Sequence, residues 1–313
     1  MNRILPIVLL ATLLSSGRAL SQASTVPVPK LSGYLQLRET YRDRIGLTAT
    51  LNRARVSVDG SLPSRFSYRF LVEYEAPAAN STTASVSLRD AYLRWSRSPW
   101  TLTLGQYKTP FSREYITSIT AIETADRAAA VDTLAPKRDL GIMGEYALRL
   151  AATAAIGVFN GEGQNAMANR DSTVLVVSRL TARPISQLLL GVNAAAYGDD
   201  STRYGADVNL SERGFLLRGE YLAQHRHGAG RRDEGWLLLA GYRVLPRIQL
   251  VAKQDDYQGR RAGAHRRAAA TTFGINADLG ADRVRLVVDY VRQRMGSPSR
   301  TRDLVIGQIQ GRF

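Results

Sequence analysis

Hydrophobic and polar residues alternate along most of the chain, in short segments that end at Gly, Pro, Asn, Asp or Ser. Period-two alternation between turn-forming residues is typical of β-strands with one apolar face. In the segment 65–75, Phe66, Phe70 and Tyr74 share one face and Arg69 lies on the other. A strand of a soluble sandwich would alternate in the same way, so the number and length of the segments decide the fold class.

Sixteen segments show this pattern, and most have the roughly 9 to 11 residues that a tilted strand needs to cross a membrane. They are 33–42, 49–60, 65–75, 85–96, 100–108, 139–148, 150–159, 172–181, 187–197, 203–210, 214–224, 235–245, 247–256, 269–279, 283–293 and 303–313.

The predicted connections alternate in length. Short ones include 60–64, 97–99, 182–186 and 211–213, and longer ones include 109–138, 161–171, 225–234 and 257–268. Short periplasmic turns and longer extracellular loops are typical of bacterial outer-membrane barrels. We therefore predict an all-β protein, with a single transmembrane antiparallel barrel over residues 33–313.

Two segments break the alternation. The apolar phase shifts near 88–90, and Leu237 and Leu239 would point to the polar side. A β-bulge, or a strand covered from inside by a loop, would explain these breaks.

Both ends of the chain carry export signals. Residues 1–23 combine Arg3, an apolar run over 4–14 and small polar residues that end at Ala23, which predicts a cleaved signal peptide. Residues 24–32 are then a periplasmic lead-in. Phe313 closes the last alternating segment and resembles the C-terminal signal that barrel-assembly machinery reads. No later stretch stays apolar for the roughly 18 residues of a membrane helix, which excludes a helical membrane protein.

The charge is strongly positive, with 42 Lys+Arg against 27 Asp+Glu and a net charge of +15. Only Lys30, Lys108, Lys137 and Lys253 are lysines, and arginine suits bidentate contact with phosphate or carboxylate. In an exported chain this favours small anionic solutes, outer-membrane lipids and lipopolysaccharide as partners, and not nucleic acid. The absence of cysteine excludes a disulfide framework.

Alternation places many basic residues on the polar face, where a pore would attract anions. The pore-lining candidates are Arg53, Arg55, Arg65, Arg69, Arg179, Arg203, Arg218, Arg243, Lys253, Arg283 and Arg285. A second interpretation stays open: these residues pair with inward acidic groups and brace the wall.

The connection 109–138 is by far the longest, and a loop of this length is usually functional. Its charged residues are Arg113, Glu114, Glu123, Asp126, Arg127, Asp132, Lys137 and Arg138. The alternative is a flap on the surface.

No motif of a known catalytic site is present, and we expect neither an enzyme nor a cofactor. His225 and His227 could ligate a metal, but two histidines without a neighbouring cysteine or fixed carboxylate form a weak site, so no metal is predicted. The basic clusters at 225–232 and 260–267 are expected in exposed loops, where solvated charge is the simpler interpretation and binding of lipopolysaccharide phosphate is the other.

Several segments resemble the phosphate-selective porin O/P family: Asn52 to Gly60, Asp90 to Leu93, Leu104 to Ser112, Pro136 to Gly141, Phe159 to Gly163, and Arg179-Leu180 before Pro184. The resemblance covers the chain after the signal peptide. It implies a sixteen-stranded, usually trimeric, anion-favouring channel. It also implies that the loop 109–138 folds into the lumen, which makes the charged residues of this loop candidates for a constriction. The chain is shorter and poorer in lysine than the family pattern.

The sequence therefore predicts a porin for passive diffusion of small hydrophilic solutes, favouring anions such as phosphate. The alternatives are a structural or adhesive barrel with a blocked lumen, an outer-membrane enzyme, or a soluble secreted β-protein.

Overall fold

The computed structural model describes residues 27–75, 84–149, 151–229, 231–261, 264–280, 283–296 and 300–313. Within these ranges sixteen antiparallel strands pair in sequence order, and β1 pairs with β16 to close a barrel. The predicted signal peptide, 1–23, lies outside the described residues, and the lead-in ends earlier than predicted because β1 begins at Lys30.

The strand bounds are β1 Lys30–Arg42, β2 Gly46–Leu62, β3 Phe66–Glu75, β4 Ser85–Arg97, β5 Trp100–Lys108, β6 Arg138–Leu148, β7 Ala152–Phe159, β8 Leu175–Ile185, β9 Leu188–Tyr197, β10 Ser201–Glu212, β11 Phe215–Arg226, β12 Arg231–Leu245, β13 Ile248–Arg261, β14 Ala264–Leu279, β15 Val284–Met295 and β16 Arg300–Arg312. Two short helices, α1 Arg113–Ile116 and α2 Ala129–Leu134, lie between β5 and β6. Among the residues that the structure describes, no helix is long and apolar enough to cross a membrane.

The two faces of the wall differ as the alternation predicts. On β16, Val305 and Ile309 are both 44% exposed on the outside, whereas Gln308 and Gln310 are buried on the inside. Polar groups in hydrocarbon are costly, and a closed barrel pairs its backbone without a free edge. The outward residues of β16 therefore form part of an apolar outer surface.

The two chain ends meet where the barrel closes. The amide of Phe313 donates to the carbonyl of Gly33, and the amide of Gly33 donates to the carbonyl of Phe313, both at 3.1 Å. A Cβ at Gly33 would lie 2.5 Å from the ring of Phe313, so glycine leaves room for this ring.

The predicted irregularity near 88–90 is a β-bulge. Leu71 pairs with Asp90 and the next residue, Val72, pairs with Leu88, which leaves Arg89 as an extra residue in β4. Arg89 and Asp90 consequently both turn their side chains into the lumen. A second shift, opposite Gln36 in β1, adds one residue to β2.

The inward leucines of β12 are covered by α2. Leu237 and Leu239 are 5% and 3% exposed, and Leu237 packs in the same core as Val131 and Leu134 of α2. Of the two explanations offered by the sequence for this strand, cover by an internal loop is the one observed.

Two connections that the sequence predicts as long are short. Strand β11 ends at Arg226 and β12 begins at Arg231; likewise β13 ends at Arg261 and β14 begins at Ala264. The hydrogen-bond ladder extends past the point where outward apolar residues end, because strand pairing does not require an apolar face. The two basic clusters therefore lie mainly on strands.

Candidate functional site

The loop between β5 and β6, residues 109–137, lies inside the barrel; we call it the internal loop. Phe111 is completely buried, in a core that includes Phe159 of β7 and Val177 of β8. Val131 and Leu134 of α2 join the same core beside Leu222 of β11. Apolar packing thus holds the loop against the wall from β6 to β12.

Three carboxylates of the wall hold backbone amides of the internal loop. Glu220 Oε2 accepts from the amide of Glu114 at 3.0 Å, and Asp289 Oδ2 accepts from the amide of Ala125 at 2.7 Å. Asp255 Oδ1 accepts from the amide of Ala129 at 3.1 Å. Hydrogen bonds to an ionised acceptor are the stronger kind, so these contacts fix the height of the loop in the lumen.

Basic residues of the wall hold carbonyl groups of the same loop. Arg203 Nη1 donates to the carbonyl of Leu134 at 2.8 Å, and Lys253 Nζ donates to the carbonyl of Asp126 at 2.8 Å. Arg285 Nη1 donates to the carbonyl of Ile122 at 3.2 Å.

Two ion pairs complete the attachment. Arg218 pairs with Glu123, and Arg38 pairs with Asp126 at 2.9 Å. Burial raises the pKa of Glu123, and the nearby Arg218 opposes this shift. For Glu123 the cost of burying the charged form is therefore larger than the gain from pairing with Arg218.

The wall from β2 to β6 has a surplus of arginine. Arg53 and Arg55 lie 3.5 and 3.0 Å from Glu73, and Arg89 pairs with the same carboxylate. Arg138 lies 2.7 Å from Asp90. Arg69 reaches the same carboxylate at 3.7 Å and also Asp59 at 3.3 Å. Among the side chains that the structure describes, five guanidinium groups here share three carboxylates, so this patch is net positive; we call it the basic wall.

The carbonyl groups of the internal loop also hold two basic residues, Lys108 at the end of β5 and Arg127 of the loop itself. Lys108 Nζ donates to the carbonyls of Tyr115, Ile116 and Thr117 at 2.7, 3.3 and 3.0 Å. Burial lowers the pKa of Arg127, and the positive charge of Arg55 acts in the same direction. Arg127 Nε donates to the carbonyl of Glu114 at 3.2 Å, which fixes the guanidinium group against the loop.

Two cavities lie on opposite sides of the internal loop. One, of about 480 Å³, extends toward the turns and is lined by Tyr34, Arg55, Arg138 and Thr120, among others. The other, of about 300 Å³, extends toward the loop end and includes Asp126 and Asp132, among others. The lining of the first cavity includes five arginines and Lys108 beside Asp90, whereas that of the second mixes Arg42, Arg127 and Lys253 with four aspartates.

The profile of the family described as phosphate-selective porin O and P matches residues 34–229 of this chain. The chain belongs to the phosphate-selective porin O and P family. Bacterial outer-membrane channels are therefore the class to which this barrel is assigned. No curated protein matches the sequence.

Solved structures of other outer-membrane proteins are similar in fold to this chain. OmpT of Vibrio cholerae, described as a trimer form, has a TM-score of 0.68 at 11% identity, over 91% of this chain and 99% of that chain. The outer-membrane channel DcaP of Acinetobacter baumannii has a TM-score of 0.64 at 13% identity, over 91% and 97%. The anion-selective porin of Comamonas acidovorans has a TM-score of 0.63 at 14% identity, over 91% and 99%.

Nine of the eleven predicted pore-lining residues of this porin lie on the lumen face of a strand. Two differ from the prediction: Arg65 and Arg283 lie in short turns outside the strands and are exposed. Arg65 has a φ of 70° and its carbonyl accepts from the amide of Ser96. A residue outside the hydrogen-bond ladder has no fixed face, so alternation could not place these two.

Two further candidates are committed to the wall. Arg179 is buried and lies 2.7 Å from Asp207. Arg243 lies 3.5 Å from Asp278 near the turns. These pairs match the bracing interpretation that the sequence left open.

The predicted constriction residues occupy different environments. Glu114 is buried and accepts from the amide of Ala128 at 2.9 Å, while Arg113 is half-buried in α1. Asp132 and Lys137 are exposed. Arg138 is the first residue of β6 and belongs to the basic wall.

Sequence reasoning missed Arg89 and Arg94 in the lumen. Arg94 stacks over Tyr92 at 5.0 Å and donates to Thr103 at 3.1 Å. If alternation is continued through the bulge without a shift, the residues on one side of it are assigned to the wrong face of β4. The phase shift of apolar residues at 88–90 was the sequence signal that indicated the bulge. Across the described residues, no group of three or more histidine, aspartate or glutamate side chains is placed to hold a metal ion.

Proposed function

We propose that this porin is a passive diffusion channel for small hydrophilic solutes that favours anions such as phosphate. The proposed passage runs between the basic wall and the internal loop. The observation that carries the proposal is the composition of the basic wall, where the described carboxylates Glu73, Asp90 and Asp59 face Arg53, Arg55, Arg89, Arg69 and Arg138. A surplus of guanidinium groups between low-dielectric walls attracts anions.

The attachment of the internal loop supports this route. The loop packs on the inner faces of β6 to β12 and hydrogen-bonds to β13, β15 and β16. The lumen beside β2 to β4 then remains for solute. Arginines of the other strands, such as Arg203 and Arg285, hold the loop and contribute less to the field in the passage.

The test is the reversal potential of the purified protein in a planar bilayer under a gradient of KCl. We expect the reversal potential to have the sign of a channel that conducts chloride better than potassium. In Arg55→Gln the reversal potential should shift toward the value of a channel that prefers potassium. Glu73 keeps Arg53 and Arg89 as partners in this variant. Arg65→Gln removes the same charge from an exposed turn and should leave the potential unchanged. Cation preference of the unsubstituted channel, or equal shifts in both variants, would contradict the proposal.

The preference for phosphate is tested by adding inorganic phosphate to chloride solution. We expect phosphate to reduce the chloride current, and to do so at a higher concentration in Arg55→Gln, since guanidinium groups bind phosphate through two donors. An equal reduction in both proteins would show that the basic wall does not bind phosphate.

One observation favours a second candidate function, a barrel with a blocked lumen. Residues of the 160–174 connection reach the basic wall: Arg89 donates to Gln164 at 2.8 Å, and the amide of Asn165 donates to Gln106 at 2.6 Å. If these contacts close the passage, the bilayer experiment will show no steady current. Family and fold point to a channel rather than an enzyme.

We further propose export with cleavage after Ala23, assembly by the barrel-assembly machinery through Phe313, and a homotrimer in the membrane. The described trimer form of Vibrio cholerae OmpT supports the last point. Light scattering of the detergent-extracted protein would give the mass of the assembly, and a monomer mass would contradict the trimer.

A further inference from the structure

We propose that the outer surface of β14 and β15 binds the phosphate group of a lipid headgroup, in the membrane leaflet at the loop end. The site consists of Arg267, Arg292 and Arg294, which we call the external arginine cluster. This inference concerns the outside of the barrel and does not depend on the proposed transport function.

The outward residues of these two strands change character with height. From the middle of the barrel toward the loop end, the outward register pairs are Ile275 with Val288, Phe273 with Tyr290, Thr271 with Arg292, and Ala269 with Arg294. Apolar, aromatic and basic positions thus follow one another in the order of hydrocarbon, interface and headgroup in a membrane. The arginines lie where headgroup phosphates would be.

Arg294 is the neighbour of both other arginines of the cluster. Arg292 and Arg294 are two residues apart on one strand, and Arg267 is the diagonal neighbour of Arg294 across the β14–β15 pair. Strand geometry sets such neighbours about 7 Å apart. The small side chain of Ala269 lies between Arg267 and Arg294 and leaves space for a headgroup to approach the wall.

The acidic neighbours leave this cluster positive. Asp256 accepts from Arg267 Nε at 2.9 Å, and Asp303 accepts from the hydroxyl of Tyr290 at 3.0 Å. Among the described residues, Arg292 and Arg294 form no ion pair, and both are exposed. Just outside the cluster, Arg260 contacts His265 at 2.9 Å and adds positive charge.

The loop end of the barrel is not uniformly basic on its outside. On β12 the outward Arg232 is paired with Glu234 at 3.0 Å. At the loop end of β8, β9 and β10, the outward residues that pair across the sheet are Val176, Ala196 and Thr202. A general need for charge at the rim would place basic residues there too. The concentration of arginine on β14 and β15 therefore points to a ligand of opposite charge.

The test measures binding of diphosphorylated lipid A to the purified protein in neutral detergent. The variant is Arg292→Gln with Arg294→Gln, which leaves the Arg267–Asp256 pair in place. The matched control is Arg300→Gln with Arg302→Gln, because these exposed arginines belong to the same hairpin but lie on its inward face. All three proteins should show the same strand signal in circular dichroism.

We expect binding to weaken about tenfold or more in the double variant, since each basic residue near an anionic headgroup contributes about 1 kcal/mol. The control should bind like the unsubstituted protein, and lipid A without its phosphates should bind weakly to all three. Equal binding by the double variant, equal loss in the control, or undiminished binding of the dephosphorylated lipid would each overturn the proposal. Displacement of the lipid by millimolar inorganic phosphate would also overturn it, because the site would then recognise free phosphate and not a lipid.

Discussion

The attachment of the internal loop to Asp289 can be tested at a single amide. Asp289 is buried and its carboxylate accepts the amide hydrogen of Ala125 at 2.7 Å. In Asp289→Ala this hydrogen loses its acceptor, and an unpaired donor in such a place costs about 1.5 to 3 kcal/mol when the lost acceptor was charged. Local opening at Ala125 should become easier by that amount.

Hydrogen exchange of the detergent-solubilised protein measures the effect. At about 1.4 kcal/mol for each factor of ten, the amide of Ala125 should exchange about 10- to 100-fold faster in Asp289→Ala. Asp289→Asn keeps an oxygen acceptor without its charge, and should raise the rate only about fivefold, a difference of about 1 kcal/mol. The amide of Glu114, which Glu220 holds at 3.0 Å, is the internal control and should not change.

Unchanged exchange at Ala125 in Asp289→Ala would show that the carboxylate does not hold the loop. Equal acceleration at Ala125 and Glu114 would show a general loosening of the barrel, and the argument that each wall carboxylate fixes one amide would fail.

Two further predictions concern packing and assembly. Leu134→Ala should lower the free energy of unfolding in detergent by about 2 to 4 kcal/mol, because it opens a cavity in the core between α2 and the wall. Leu238→Ala, on the lipid-facing surface, should lower this free energy much less. Equal losses for the two variants in urea titrations would contradict the prediction. Phe313→Ala should reduce the amount of protein recovered from outer membranes, and Phe313→Tyr should retain it; the same yield from both variants would remove the C-terminal ring from the assembly signal.

The barrel was predictable because alternation is a local property of the chain. Each outward residue must be compatible with lipid, and each lumen residue with water or a polar partner. Every strand therefore shows the alternation of apolar and polar residues in its own sequence. Sixteen predicted segments correspond to sixteen observed strands, and the breaks at 88–90 and at Leu237 mark a bulge and a covered strand.

The lumen was less predictable because it depends on contacts far apart in sequence. One extra residue in β4 brings Arg89 to the same side as Asp90, and alternation alone cannot decide where such a residue is inserted. The partners of the internal loop, such as Asp289 and Ala125, are 164 residues apart. The sequence indicated a long loop with charged residues but did not contain the list of its contacts.

Arginine and lysine differ in how they can combine the two roles proposed for the inward basic residues. Lys108 directs its ammonium group to three carbonyls of the internal loop, and an ammonium has three donors. Arg55 donates from Nη2 to Glu73 at 3.1 Å, and a guanidinium has five donors in all. An arginine can therefore brace the wall and still present donors to a passing anion, whereas a lysine bound in this way cannot. A chain whose inward basic residues both brace the wall and contact anions should therefore use arginine rather than lysine, which agrees with its low lysine content.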